Sequence, residues 1–280
     1  MELEAAQWTE RITRIRPVVK NIFYKGNIDL LFDKKPMLAV VGSRRMTEYG
    51  RRIIEKWMSV LVDRGVVIVS GFMYGVDQAA HKACIENGGK TIAVLGYGID
   101  RERVSMDEKL YQSVLENDGL ILSEYPGTTS SEIWTFPARN RIVAGIADAV
   151  WVVEGAVDSG SMITAKIGVK RGIPVLALPG QVGMSVAAGV NQLIKSGKAV
   201  MTTEVGDVLD AMGMNRKQLK LIEAQESDPL LIALGDESRT ADELAAILRI
   251  PIEQLVRELS MYCLRGEVEE CDGKYRRRDN

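Results

Sequence analysis

Several short stretches of this chain combine small residues, hydroxyls and arginines in a pattern suited to holding phosphate. The first is Gly42-Ser43-Arg44, between the apolar run Met37–Val41 and an amphipathic run over about residues 48–64. A turn of small residues ahead of a helix presents backbone N–H groups to an anion, and an arginine there adds a planar fork for a phosphate. The second is Ser70-Gly71-Phe72-Met73-Tyr74-Gly75-Val76-Asp77, a glycine-bearing turn entering a helix. The third is Ser159-Gly160-Ser161, with Thr164 one turn further on, and the fourth is Pro179-Gly180-Gln181. Alone, each reads as an ordinary tight loop; four on one rim make a polar cradle. A fifth stretch, Trp134-Thr135-Phe136-Pro137-Ala138-Arg139-Asn140-Arg141, interleaves aromatics with arginines. Flat faces for bases and forks for phosphates are what a single-stranded nucleic acid requires. Arg139 and Arg141 diverge on a helix and share a groove only in extended chain. The plainer alternative packs Phe136 in the core and pairs the arginines with Glu124 or Glu132.

Catalytic readings of the same residues are weaker. Gly88-Gly89-Lys90-Thr91 ends like a phosphate-binding P-loop, but Cys84 stands at its first glycine and the stretch precedes a strand rather than following one. Gly96-Tyr97-Gly98 opens a dinucleotide fingerprint in which Arg101 replaces the third glycine. His81, four residues after Asp77, has no serine or cysteine nucleophile beside it and reads as a packing residue. No catalytic residue, metal ligand or cofactor is assigned.

These stretches need a rigid frame. Candidate strands are Met37–Val41, Val66–Ser70, Thr91–Leu95, Leu120–Ser123, Ala149–Val153 and Pro174–Leu178, separated by segments with helical periodicity. Apolar runs alternating with helices predict an α/β, doubly wound, mostly parallel sheet, whose ligands sit at the C-terminal strand ends. Residues 1–36 read as a polar, irregular extension with a short edge strand near Ile22–Asn27. Residues 37–214 form the main domain and 215–228 a polar linker. In residues 229–280, Thr240 caps a helix, and Gly266–Arg276 reads as a hairpin, so a small winged helix is expected.

The chain has 280 residues, 46% of them hydrophobic and 26% charged, with a net charge of −2. Affinity for a polyanion must therefore come from local arginine clusters. Three cysteines without metal-ligand spacing fit a reducing cytoplasm, the single histidine rules out a multi-histidine metal site, and no apolar run is long enough to span a membrane.

The ordered motifs Val41-Gly42-Ser43-Arg44, Ser70-Gly71-x-x-x-Gly75-Val76-Asp77-x-x-Ala80-His81, Ala93-Val94-Leu95-Gly96, Ser123-Glu124-Tyr125-Pro126, Phe136–Gly145 and Ser159–Ala165 resemble the DNA-processing protein A (DprA, or Smf) family. The resemblance spans about residues 22–214. It implies a Rossmann-like domain that binds single-stranded DNA, forms homodimers, helps load RecA recombinase during natural transformation and hydrolyses no nucleotide. The expected DNA-binding set is Gly42, Ser43, Arg44, Ser70, Gly71, Gly75, Asp77, Phe136, Arg139, Asn140, Arg141, Ser159, Gly160, Ser161 and Thr164. Two departures stand out. The usual Tyr-Pro-x-x-Asn segment after the third strand is replaced by Ile99–Met106, and the helical domain many members carry is missing or reduced to residues 1–36. The alternative is an enzyme of the lysine-decarboxylase-like phosphoribohydrolase type, whose Pro-Gly-Gly-x-Gly-Thr segment has only Pro179-Gly180-Gln181 as a counterpart. A third reading makes the tail a duplex-binding transcription regulator.

Overall fold

The computed structural model describes residues 1–4, 8–102, 105–214, 229–234, 238–265, 268–271 and 273–277. They fall into two compact units, Met1–Met214 and Asn215–Asn280. The linker expected at 215–228 lies outside the described residues.

The chain enters through β1 (Glu2–Leu3), α1 (Glu10–Thr13) and β2 (Ile22–Gly26). The polar, irregular lead-in expected here is corrected. β2 runs antiparallel beside another strand of the main sheet, and Leu3, Ile12, Ile15, Val19, Ile22, Leu30 and Leu31 are buried. The apolar residues here follow no single period, because they are spread over elements of two to five residues.

The frame follows as β3 (Met37–Val41), α2 (Glu48–Asp63), β4 (Val67–Ser70), α3 (Val76–Glu86), β5 (Thr91–Leu95), α4 (Ser105–Glu116) and β6 (Leu120–Ser123). It continues through α5 (Thr135–Ile146), β7 (Ala149–Val152), α6 (Gly160–Arg171), β8 (Val175–Ala177), α7 (Ser185–Lys195), β9 (Val200–Met201) and α8 (Val205–Ala211). The six central strands lie within about one residue of their predicted bounds. All of their residues are buried, as expected of strands covered on both faces. One face packs Met37, Ala39 and Val41 with Val150 and Val152 against α5 and α6. On the other, Trp151 stacks on Trp57 of α2, ring centroids 5.0 Å apart.

Strand order is β1-β2-β6-β5-β4-β3-β7-β8-β9, with the β1–β2 and β2–β6 pairs antiparallel and all other pairs parallel. The chain builds outward from β3 to β6, then returns through α5 to lay β7 on the far side of β3. The sheet order therefore reverses between β3 and β7, and the loops leaving these two strands part to open a crevice at their C-terminal ends.

The second unit contains α9 (Pro229–Leu234), β10 (Arg239–Thr240), α10 (Ala241–Leu248), α11 (Ile252–Arg265), β11 (Val268–Cys271) and β12 (Lys274–Arg277). Its strands form an antiparallel sheet in the order β10-β12-β11. Leu230, Leu234, Leu244, Leu255 and Leu259 close on one another. At the start of α10 the Glu243 N–H donates to Thr240 Oγ1 (3.3 Å), and the Thr240 N–H donates to Glu243 Oε2 (2.8 Å), the reciprocal cap expected from the sequence. Among the described residues no helix is long and apolar enough to cross a membrane.

Candidate nucleic-acid interface

The loop after β3 begins at Gly42 and ends where Thr47 caps α2. Arg44 is exposed, and its guanidinium carbon lies 5.5 Å from the centre of the Phe136 ring. A cation held over an aromatic face, with solvent beyond it, is a fork available to a ligand phosphate.

The loop after β4 must come close to its neighbours. At Gly71 a Cβ would stand 1.6 Å from Arg139 Nη1, so only glycine leaves room for that guanidinium. Gly75 has φ +80°, and a Cβ there would meet the Ser43 carbonyl oxygen at 2.2 Å. Gly75 thus seats the second loop on the first, and Gly71 seats it on Arg139.

α5 supplies the third wall. Arg139 and Arg141 both lie on this helix, so they diverge rather than share a groove, and one of them pairs with Glu124 as the plainer alternative has it. Pro137 is tolerated because it falls in the first turn, where backbone N–H groups have no helical partner. Arg139 turns inward, is 3% exposed and donates from Nη1 to the Val94 carbonyl at 2.9 Å. Arg141 turns the other way and donates from Nη2 to both carboxylate oxygens of Glu124, at 2.7 and 2.8 Å. Asn140 donates to the Gly160 carbonyl at 3.1 Å and ties α5 to the start of α6.

α6 provides the fourth wall through its N-terminus. The Ser159 and Ser161 hydroxyls are 2.6 Å apart, while Ser161 and Thr164 are buried. The unpaired N–H groups and positive dipole end of such a helix favour an anion.

Together these elements enclose a cavity of about 570 Å³ at the switch point. Its walls include all of the expected residues except Ser70, Gly75 and Arg141. Ser70 instead donates to the Val40 carbonyl at 2.6 Å and stitches β4 to β3. The Pro179-Gly180-Gln181 turn does not join this cavity, so the four-turn cradle is corrected to three turns and a helix. That fourth turn lines a separate space of about 480 Å³ with Tyr49, Glu154 and Met184.

Burial dominates the electrostatics of the cavity floor. It pushes the Asp77 carboxyl above the usual carboxylate range, against the pull of Arg139, the Met73 N–H, Ser70 and Arg44. It also draws Arg139 below its ordinary value, with Asp77 and Tyr97 opposing. A guanidinium stays charged under such a shift, so the floor keeps its positive charge. His81, fully buried and repelled by Arg139, is lowered to about 3. The Thr91 hydroxyl donates to the Ile68 carbonyl (2.9 Å), which leaves its lone pair to accept from His81 Nδ1 (2.7 Å). The network thus assigns a neutral imidazole with its proton on Nδ1, a packing role rather than a base.

Sequence reasoning missed two residues of the cavity wall. Arg45, exposed beside Arg44, and Ile133, 92% exposed beside Trp134, both line the cavity. Glu154 is 4% exposed and accepts hydrogen bonds from the Thr47 hydroxyl and, at 2.9 Å, the Thr47 N–H, so a carboxylate fixes the start of α2. Among the described residues no cluster of His, Cys, Asp and Glu could hold a metal ion.

A family model described as DNA recombination-mediator protein A matches residues 1–213. The DNA processing protein DprA of Streptococcus pneumoniae is 43% identical over 182 residues, 65% of this chain and 63% of that protein. Protein Smf of Escherichia coli is 34% identical over 266 residues, covering 91% of this chain and 70% of the relative. The solved structure of S. pneumoniae DprA superposes with a TM-score of 0.70 at 38% identity, over 75% of this chain and 73% of that one. DNA processing protein A from Helicobacter pylori gives 0.68 at 27% identity, over 79% and 95%. This chain thus spans a little under two thirds of the length of the S. pneumoniae relative. With the match running through the whole sheet that builds the crevice, the chain belongs to the family of DNA recombination-mediator protein A, whose members carry the names DprA and Smf.

Proposed function

We propose that the switch-point cavity binds single-stranded DNA, and that the protein protects such strands and helps a RecA-type recombinase to load during transformation and recombination. The observation that carries this reading is Arg44 poised over Phe136 at the mouth of a cavity whose far wall is the N-terminus of α6. That arrangement offers a phosphate fork, an aromatic face and a set of N–H donors to one nucleotide. The H. pylori relative, 27% identical, is described for its single-stranded DNA binding mode, which supports the same use here. The role is binding rather than catalysis: His81 is buried and held neutral, and the Thr91 hydroxyl beside it is already spent on the Ile68 carbonyl. A cytoplasmic site of action fits three free cysteines. A homodimer is part of the reading, with exposed Val182, Met184, Val200 and Met201 offering an apolar border. The second unit, three helices with an antiparallel sheet, is read as a winged helix.

The test is fluorescence anisotropy with labelled single strands and the matching duplex at two salt concentrations. Single strands are expected to bind more tightly, with affinity falling as salt rises. Equal or tighter duplex binding would hand the role to the tail and overturn the assignment.

A further inference from the structure

A smaller cavity of about 220 Å³ adjoins the switch-point cavity and shares Met73 and Phe136 with it as a common wall. Tyr74 stands at the entry to α3, 54% exposed, and Tyr97 follows β5. With Phe136 they surround the space by aromatic rings, which suits a flat ligand group.

The polar residues of the space differ from those of its neighbour. The Arg101 guanidinium lies 5.6 Å from the centre of the Tyr97 ring and donates to Ser131 Oγ at 2.7 Å, so it is held in place on its wall. Asp107 on α4 accepts from the Gln78 side chain at 2.8 Å. That bond takes one of the several acceptor positions a carboxylate offers. Glu102 lines the same space, so two carboxylates against one arginine leave no net attraction for phosphate but offer acceptors to a donor edge. This is a site for a base, not for a backbone.

Arg101 and Asp107 also lie in or beside the stretch after the third predicted strand where this chain departs from the family's sequence pattern. We infer that the space between Tyr74, Tyr97 and Phe136 is a second base subsite that holds the next nucleobase of the strand, with Asp107 favouring bases that carry an exocyclic amino group. Cytosine and adenine present that amino group where thymine presents a carbonyl oxygen. The inference rests on the single-strand function proposed above and assigns it a second position and a base preference.

The experiment is competition by deoxymononucleotides and dinucleotides against a labelled single strand on the full-length protein. A dinucleotide is expected to compete roughly tenfold better than a mononucleotide, the gain of one stacked base. Cytosine-containing dinucleotides should outcompete the thymine dinucleotide roughly fivefold, the worth of one added hydrogen bond. Tyr74→Ala should erase the dinucleotide gain while leaving mononucleotide competition unchanged, and Asp107→Asn should erase the preference for cytosine alone. If dinucleotides compete no better than mononucleotides while the labelled strand still binds, the second subsite falls and the function stands. If Tyr74→Ala weakens both ligands equally, the subsite is not separate and the inference falls. Equal competition by cytosine and thymine dinucleotides overturns the role of Asp107. If the labelled strand does not bind at all, the function and the inference fall together.

Discussion

The two larger cavities at the C-terminal ends of the strands are of similar size, about 570 and about 480 Å³, and both take part of their wall from the loop after β7. The first gathers Arg44, Arg45 and Arg139 around the start of α6. The second gathers Met184, Val186 and Val190 around Tyr49 and the buried carboxylate of Glu154. Burial and the nearby Glu154 charge hold the Tyr49 hydroxyl above its usual range, so that space resists negative charge. Volume does not distinguish them as sites for a polyanion. Charge and the direction of one helix do.

The largest test of this contrast is Gly71→Ala. The added Cβ would displace Arg139 from its buried position, costing about 3 kcal/mol of stability from overpacking and a misplaced charge. Denaturant unfolding measures it, and a loss under about 1 kcal/mol would mean that the cavity floor is not fixed by Arg139. Next comes Arg44→Ala, which should weaken single-strand binding by about 1.5–3 kcal/mol, roughly 10- to 150-fold, with an unchanged melting temperature. Unaltered affinity in the folded variant would move the site out of the first cavity.

The third test uses the burial of His81 beneath that cavity, beside the charge of Arg139. His81 is lowered from 6.5 to about 3, so the stability of its neutral form is fully present above pH 6.5 and is lost as pH falls toward 3. Stability of the native chain minus that of His81→Gln should therefore fall by up to about 1.4 kcal/mol per pH unit below about pH 6. A flat difference would refute the buried, neutral assignment. The fourth is a chain ending at Met214, which should fold and bind single strands within about tenfold, some 1.4 kcal/mol, of full length. A greater loss would make the tail part of the binding surface. The smallest effect is reserved for the second cavity: Tyr49→Phe removes the hydrogen bond to the Pro179 carbonyl, yet strand affinity should change by less than about 0.4 kcal/mol, or twofold.

The central strands were legible because burial on both faces leaves an unbroken apolar run, as in Met37–Val41. The loops after β3, β4 and β7 were legible because glycine and serine at strand ends serve both turn and ligand. Less could be read where function depends on which way a side chain turns. Arg139 and Arg141 are equivalent in composition. Only the helix, with its 100° step, sends one to the cavity and the other to Glu124. Ser70 and Gly75 matched the pattern of a ligand turn but spend their groups inside the fold. The edge elements were least legible: β9 is two residues long, and such a segment carries no period.

That shortness has a consequence for how the protein meets other chains. A border strand usually offers a row of free N–H and C=O groups on which a further strand can be templated. β9 ends after Met201, and just beyond it the Thr203 and Glu204 N–H groups are already spent on the Asp207 carboxylate, at 2.7 and 3.1 Å. Too little backbone remains at this border to extend the sheet, so a second protein approaching here must be recognised by side chains such as Val200 and Met201. Association at that border is thereby decided residue by residue, and indiscriminate growth of the sheet is denied.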